Sequence, residues 1–391
     1  MENELQVLSE KIEAIRSKWG KRLCILGHFY QKPEILAHVD VVGDSFKLSK
    51  EAAQRDECDA IVFCGVHFMA ETADMLANAP NRLARREKPV DVLLPDLGAG
   101  CPMAEMATLR GVETAWNEMA EEIDVNDIAP ITYVNSSAAI KSFCGKRGGF
   151  CCTSSNADKV LRRAFSEKKR VLFLPDEHLG ENTAVKFGIP DEEILFWHHT
   201  NSTMLEMTSQ LERFAFLPNQ AAKKLEEKGK LPLGGNTPEA LRRAKIILWK
   251  GFCPVHQQFM PRHLAKFRDD HPGGKIVVHP ECRRDVVFAA DEAGSTKRIL
   301  DVVAESAPGS VWGIGTERRF VESAKNGYGD REIYPLSPEE PLCPNMAKIT
   351  LANLYRTLAA LDEGNPVGRV SVDESIAAGA RLALERMLEC E

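Results

Sequence analysis

Residues 22–66, RLCILGHFYQKPEILAHVDVVGDSFKLSKEAAQRDECDAIVFCGV, decide the fold class. Both ends of this stretch are apolar runs of strand length, and between them a polar turn, GDS, leads into a segment with helical periodicity. A strand, a helix and a second strand in this order form a βαβ unit, which is typical of parallel sheets covered by helices. Similar apolar runs lie at 89–97, 129–135, 169–177, 275–281 and 310–317. The sequence therefore predicts an α/β protein.

The order of features in the first third of the chain occurs again in the second and the last third. In each third a strand ends in polar residues, a hydroxyl-bearing turn opens a helix, and one cysteine lies near the end. In chain order these positions are His28, Ser45 and Cys101; Tyr133, Ser154 or Ser155, and Cys253; and His279, Thr296 and Cys343. Internal repetition predicts three similar domains. The pattern alone leaves open the alternative that any α/β protein contains strand–turn–helix units.

The repeat predicts three βαβ-type domains, each an αβα sandwich with a short parallel sheet, around a pseudo-threefold axis. Ligands of open α/β sheets bind at the carboxyl ends of the strands, so we expect the site at the centre. The predicted boundaries are an N-terminal helix at 1–20, domains at 21–125, 126–265 and 266–350, and C-terminal helices at 351–391. An insertion at about 198–247 is charged and contains glycine and proline, which is typical of a surface excursion. A lid, an oligomer contact and a plain helical insertion stay open for it.

Ser45, Ser154 or Ser155, and Thr296 occupy positions where helix N-caps are expected. The N-terminus of a helix offers free backbone N–H groups and a favourable dipole to an anion. Three such helix ends directed at one cavity would bind carboxylates or phosphate, whereas any one of these hydroxyls taken alone is more simply an ordinary cap.

Composition narrows the classes of partner and compartment. The chain has 391 residues, 44% hydrophobic content and a formal net charge of −7, with no basic run, so nucleic acid is not an expected partner. The apolar runs are too short for a membrane span, and the charged N-terminus lacks the apolar core of a signal peptide. We therefore expect no membrane association and a cytoplasmic location. Eleven cysteines in a reducing compartment indicate metal ligands, nucleophiles or core residues rather than disulfides.

Cys101, Cys253 and Cys343 share a context, because each lies in a loop and is followed directly by proline. Thiolates hold iron–sulfur clusters, and three of them would leave one iron of a four-iron cluster free to act as a Lewis acid. Zinc is the rival metal, with His256 as a further ligand three residues after Cys253. The remaining cysteines are expected to be packing residues; they are Cys24, Cys58, Cys64, Cys144, Cys151, Cys152, Cys282 and Cys390.

A set of motifs over roughly residues 21–354 resembles the quinolinate synthase family, in the same order. The motifs are GHFYQKPEI, GDS, LPDLGAGC, TYVNSSAAIK, CCTSSNA, LFLPDEHLG, GFCPVH, VVHPEC, GST, GTE, YPLSP and CPNMAKITL. So many separated motifs in order are highly specific. The resemblance implies a condensation of iminoaspartate with dihydroxyacetone phosphate to quinolinate, with loss of phosphate and water. This is a step of de novo NAD biosynthesis and a transferase reaction of the EC 2.5.1 type.

The resemblance also implies one [4Fe-4S] cluster per chain, held by Cys101, Cys253 and Cys343. The substrate-binding residues that it implies are His28, Ser45, Tyr133, Val134, Asn135, Ser154, Ser155, His256, His279, Pro280, Glu281 and Thr296. Our mechanistic hypothesis makes Glu281 the general base, with a pKa raised by burial, and gives catalytic roles to Tyr30, Tyr133 and His28. A transient pairing with an aspartate oxidase or dehydrogenase and a homodimer are further expectations.

Two other functions stay open. The first is a zinc-dependent lyase or hydrolase at the same cysteines, which iron and sulfide analysis would distinguish from an iron–sulfur enzyme. The second is an iron–sulfur redox sensor. A sensor is expected to carry a recognition module such as a basic helix-turn-helix, and the sequence contains no such pattern.

Overall fold

The computed structural model describes residues 2–199 and 232–390, and its strands form three sheets in which all neighbours are parallel. The first sheet consists of β1 (Leu23–His28), β2 (Val41–Gly43), β3 (Ala60–Cys64) and β4 (Asp91–Leu93), in the order β2-β1-β3-β4. The second consists of β5 (Ile128–Tyr133), β6 (Phe150–Cys152), β7 (Arg170–Leu174), β8 (Ile194–Trp197) and β9 (Ile246–Trp249), in the order β6-β5-β7-β9-β8. The third consists of β10 (Lys275–Val278), β11 (Glu292–Ala293), β12 (Val311–Gly315) and β13 (Glu332–Pro335), in the order β11-β10-β12-β13.

Helices connect the strands and cover the sheets. The α-helices of the described residues are Glu2–Trp19, Pro33–Leu36, Ser45–Gln54, His67–Ala77, Pro80–Leu83, Pro102–Glu105, Leu109–Glu122, Ala138–Gly145, Ala157–Glu167, Glu177–Phe187, Pro238–Arg243, Pro261–Asp270, Arg284–Val287, Thr296–Glu305, Arg318–Gly327, Leu351–Asp362 and Glu374–Leu388. None of these helices combines the length and the apolarity that crossing a bilayer requires.

The central strands explain why the sheets are parallel and covered. Every residue of β1, β3 and β5 is buried, which is the pattern of strands with helices on both faces. The predicted fold class is therefore confirmed, with three short parallel sheets of the βαβ type. The runs predicted as strands match β1, β3, β4, β5, β7, β10 and β12, although β5 begins one residue before its run. The exact domain boundaries stay a prediction.

Some strands are not among those predicted, because they are short and lie beside loops. β6 falls in the Gly- and Cys-rich segment before Thr153, and its cysteines are fully buried packing residues, as predicted for Cys151 and Cys152. Residues 200–231 of the insertion lie outside the described residues. The end of the insertion is no surface excursion, because β9 begins at Ile246 and lies between β7 and β8 in the second sheet.

Candidate active site and metal centre

The carboxyl ends of the three sheets meet at one cavity of about 890 Å³. Parallel strands place the residues after their last hydrogen bond at a common edge, and residues that end or follow β1, β5 and β10 line this cavity. The predicted site residues that line it are His28, Tyr30, Ser45, Cys101, Tyr133, Val134, Asn135, Ser154, Cys253, His279, Glu281, Thr296 and Cys343. Three predicted residues, Ser155, His256 and Pro280, do not line it.

The three cysteines of the cavity have the same local structure. Each carbonyl accepts a hydrogen bond from the backbone N–H four residues later, and each sulfur accepts one or two N–H bonds from residues two or three positions on. Proline fits directly after each cysteine because it is pre-shaped for the first position of a helical turn and needs no N–H acceptor there. The carbonyl distances are 3.2 Å for Glu105 N to Cys101 O, 2.9 Å for Gln257 N to Cys253 O and 3.1 Å for Ala347 N to Cys343 O.

Burial controls the protonation of these thiols. It raises the pKa of Cys101 to about 12, raises that of Cys253 well above its ordinary value and raises that of Cys343 as well. Neighbouring acidic groups raise each of these three pKa values further. A cationic metal group would remove this cost. Three sulfurs with N–H donors, one from each repeat, therefore fit the ligand set of an iron–sulfur cluster.

A single metal ion fits the site less well than an iron–sulfur cluster does. Ligand atoms of Cys253, His256 and Glu281 lie within 4.8 Å of one another, which is the spacing of a mononuclear site. Both ring nitrogens of His256 are already engaged, however: Nδ1 lies 2.6 Å from Glu281 Oε2, and Nε2 lies 3.0 Å from Thr316 Oγ1. An ion such as zinc would have to displace one of these contacts.

Two histidines of the cavity repeat one local arrangement. Nδ1 of His28 accepts the backbone N–H of Tyr30 at 3.2 Å, and Nδ1 of His279 accepts that of Glu281 at 3.3 Å. Burial lowers the pKa of His28 to about 4 and that of His279 to about 3. Both rings are therefore neutral at pH 7, and because Nδ1 is an acceptor, the proton is on Nε2. Each ring thus has one N–H donor for an anionic ligand.

The pKa of Glu281 differs from the expectation. Burial alone would raise it, but His279, His256 and a hydrogen bond from the Tyr133 hydroxyl outweigh burial and hold the pKa below its ordinary value. The prediction of a raised pKa is therefore wrong, because it considered enclosure and not the three partners. The carboxyl group is ionised at neutral pH. His256 also stacks on His279, with ring centroids 4.5 Å apart, so the three side chains form one unit.

Glu281 lies in the middle of a continuous chain of polar side-chain contacts. On one side His256 contacts Thr316, and the Thr316 hydroxyl lies 3.0 Å from the hydroxyl of Tyr30. On the other side Tyr133 donates to Glu281 and bonds to Ser154. Thr316 is not among the predicted site residues, although it directly follows β12 and a polar residue at a strand end was an available signal. The full chain runs Tyr30, Thr316, His256, Glu281, Tyr133, Ser154.

The prediction that the hydroxyl residues are N-caps is wrong by one or more residues. Asp44 caps the helix that starts at Ser45, through a 2.9 Å bond from Lys47 N to its Oδ1, and Ser295 caps the helix that starts at Thr296. The hydroxyls of Ser45 and Thr296 are consequently not used as caps, and both residues line the cavity. In the second repeat, Asn156 precedes the helix and its side chain makes no cap bond.

The structure distinguishes the two serines that the sequence leaves open. Ser154 lines the cavity, whereas the hydroxyl of Ser155 lies 3.4 Å from Asp44 Oδ2, in an exposed pair. Asn135 lines the cavity as well, and within residues 2–199 and 232–390 its Oδ1 is buried without a hydrogen-bond partner. A buried polar atom without a partner is costly, so Asn135 is suited to bind a ligand.

Glu317 connects a helix end to one of the cysteines. Its carboxylate is fully buried; Oε2 accepts the backbone N–H groups of Arg319 at 2.8 Å and Phe320 at 3.3 Å, and Oε1 accepts that of Cys343 at 3.3 Å. One side chain thus fixes the start of the helix Arg318–Gly327 and the backbone of Cys343.

Replacement of Glu317 by alanine is expected to lower the free energy of unfolding by about 2–4 kcal/mol. The reason is that two buried N–H groups and one partly buried N–H group lose their acceptor, including a helix cap. Urea unfolding of the protein without metal measures the change. The matched control is Glu322→Ala in the same helix, whose side chain is 53% exposed and is expected to cost at most about 0.5 kcal/mol. Equal losses in the two variants would show that the buried bonds of Glu317 contribute nothing.

The comparisons with known proteins match this chain to one family. A family model described as Quinolinate synthetase A protein matches residues 10–389 of the chain. The quinolinate synthase of Rhodopirellula baltica is 46% identical over 389 residues, which cover 99% of this chain and 91% of that protein. The quinolinate synthase of Bacillus velezensis is 41% identical over 97% of this chain and 92% of its own length. The quinolinate synthase of Corynebacterium glutamicum is 42% identical over 97% of this chain and 87% of its own length.

Proposed function

The chain belongs to the quinolinate synthase family, and on this premise we propose that it condenses iminoaspartate with dihydroxyacetone phosphate to give quinolinate, phosphate and water. The observation that supports this most is the single cavity in which Cys101, Cys253 and Cys343 lie beside Glu281 and the hydroxyl residues. The reaction would be a transferase step of the EC 2.5.1 type in NAD biosynthesis. A partner aspartate oxidase or dehydrogenase that supplies the imine, and a homodimer, belong to the same proposal.

Cys101, Cys253 and Cys343 would hold one [4Fe-4S] cluster per chain. When bound, such a cluster supplies an iron without a protein ligand, which polarises a hydroxyl, carboxylate or nitrogen as a Lewis acid. No net electron transfer is needed in the overall condensation. The buried amides that donate to the three sulfurs would stabilise the thiolate form.

Both proposed substrates are anions, and the chain has a net charge of −7, so their binding needs local donors. Ser45, Ser154 and Thr296 supply hydroxyls near helix N-termini, where the dipole favours carboxylate and phosphate groups. The Nε2–H groups of His28 and His279 add neutral donors, and burial keeps both rings uncharged. These groups would bind and orient the two substrates next to each other.

Glu281 is the proposed general base for moving protons on the three-carbon substrate. Its carboxylate is ionised at neutral pH, which is the state that accepts a proton. Burial, together with the charge of Glu281, raises the pKa values of Tyr30 and Tyr133 well above 10, so both phenols keep their protons and act as donors. The chain of side chains on both sides of Glu281 would hold it in position and connect it to these phenols.

Anaerobic purification followed by iron, sulfide and zinc analysis tests the proposal together with a quinolinate assay. We expect about four irons and four sulfides per chain, and quinolinate from iminoaspartate and dihydroxyacetone phosphate. One zinc without sulfide would instead favour the zinc-dependent lyase or hydrolase. A full cluster without quinolinate formation would reject the proposed reaction and favour a redox sensor.

A further inference from the structure

A pair of cysteines lies at the opposite edge of the first sheet from the active-site cavity. Cys24 is the second residue of β1, and Cys58 lies in the turn before β3, the neighbouring strand. Neither residue lines the central cavity. Both line a separate surface cleft of about 1000 Å³ together with Lys21 and Arg55.

The two thiols interact with each other. Cys24 pairs with Ile61 across β1 and β3, three residues after Cys58, and the interaction between the two thiols is the largest influence on the pKa of each. Cys58 Sγ also lies 3.4 Å from the carbonyl oxygen of Lys21. Each cysteine is at most 3% exposed, so the cleft admits a small molecule to the sulfurs more readily than a bulky one. The interaction between the pair distinguishes these residues from Cys64, which is fully buried at the carboxyl end of β3.

Two arginines, Arg55 and Arg86, lie near Cys58. The Arg86 guanidinium binds the carbonyl oxygens of Cys58 at 2.5 Å and of Arg55 and Asp56 at 2.7 Å, which places it in the Cys58 turn. The remaining charged groups of the cleft partly cancel: Arg55 pairs with Glu51, Lys21 lies 3.6 Å from Glu57, and Asp40 pairs with Arg16.

These contacts make the two thiols unequal. The interaction with Cys24, aided by Arg55 and Arg86, outweighs burial and lowers the pKa of Cys58, while the same interaction and burial raise the pKa of Cys24. In Cys64, by contrast, burial raises the pKa to about 12. A thiol with a lowered pKa beside a second thiol is the arrangement of a nucleophile and a resolving cysteine.

We propose that Cys24 and Cys58 form a peroxide-reactive dithiol that is oxidised to a disulfide, separately from the cysteines assigned to the metal centre. The Cys58 sulfur attacks the O–O bond of a hydroperoxide and becomes a sulfenic acid, and the leaving oxygen departs as water or an alcohol. The Cys24 sulfur then displaces the hydroxyl group from the Cys58 sulfur, which forms the S–S bond and releases water. The two thiols together lose two electrons, and the hydroperoxide accepts these two electrons. The product would link β1 to the turn before β3.

The test uses the full chain, purified anaerobically with its metal, and one to a few equivalents of hydrogen peroxide. Free thiols are then alkylated, and peptide mapping by mass spectrometry follows each cysteine. We expect a Cys24–Cys58 cross-linked peptide that is lighter than the two reduced peptides by two hydrogen atoms. Cys390, which is more exposed but unpaired with a second cysteine among the described residues, is the control for accessibility.

Two variants identify the order of events. In Cys24→Ser, we expect a sulfenic acid on Cys58 that dimedone traps. In Cys58→Ser, we expect no cross-link and a reduced Cys24. The proposal is overturned if the wild-type chain gives no cross-link, or if Cys58 is no more reactive than Cys390. Because the readout is thiol chemistry, the wild-type map decides the question even where a variant misfolds, and it does not depend on quinolinate formation.

Discussion

Serine in place of Cys101, Cys253 or Cys343 is expected to remove both the cluster absorbance and the turnover of the anaerobically purified protein. Each of these sulfurs comes from a different repeat, and each lines the cavity from its own Cys-Pro turn. A serine hydroxyl is a poor ligand for iron at neutral pH because it keeps its proton. The loss is expected to exceed the roughly 10- to 100-fold that removal of an outer-shell partner costs.

The controls for this prediction are Cys58→Ser and Cys390→Ser, which remove thiols outside the cavity. Under anaerobic conditions both are expected to keep iron, sulfide and turnover near the levels of the unchanged protein. Urea unfolding of each variant without metal separates loss of the cluster from loss of the fold. A full complement of iron and sulfide in any one of the three cavity variants would exclude that cysteine as a ligand.

The sequence predicts the parts of the site that depend on local pattern. The Cys-Pro dipeptides mark loops in which a sulfur can be presented, and Cys101, Cys253 and Cys343 do lie on one cavity. The polar ends of β1 and β10 likewise place His28 and His279 there, since all parallel strands of a sheet end at the same edge. Such features can be predicted from periodicity, turn residues and the direction of a strand alone.

Features that depend on docking between repeats cannot be predicted in this way. The strand end before Thr316 is visible in the sequence, but its 3.0 Å contacts with Tyr30 of the first repeat and His256 of the second are not. The pKa of Glu281 falls rather than rises because of His279, two residues before it, and because of His256 and Tyr133, which come from the second repeat. Long-range contacts of this kind produce no characteristic residue spacing in the sequence.

The helix caps show a third limit of prediction from sequence, because the sequence does not fix the exact residue at which a helix is capped. Asp44 and Ser45 are neighbours, and both residue types are good caps, so the sequence does not decide between them. In the structure Asp44 caps the helix, and Ser45 lines the cavity instead. A shift by one residue therefore changes a structural role into a proposed binding role.

Glutamine in place of Glu281 is expected to lower kcat by about 10²- to 10⁴-fold, which is the range for loss of a general base, while the cluster absorbance stays unchanged. Glutamine has nearly the same shape and can still accept a hydrogen bond from Tyr133, but it cannot take up a proton. If Glu281 served only to position His256, the amide oxygen at 2.6 Å would preserve that contact and turnover would stay near normal.

Glu181→Gln is the matched control for the Glu281 prediction. Glu181 is a partly buried carboxylate that pairs with Arg284 at 3.4 Å and does not line the cavity, so its variant is expected to keep its kcat. Steady-state kinetics with quinolinate detection measures both variants. A rise in KM with an unchanged kcat in Glu281→Gln would mean that the carboxylate contributes to binding and not to proton transfer. The general base would then have to be another group of the cavity.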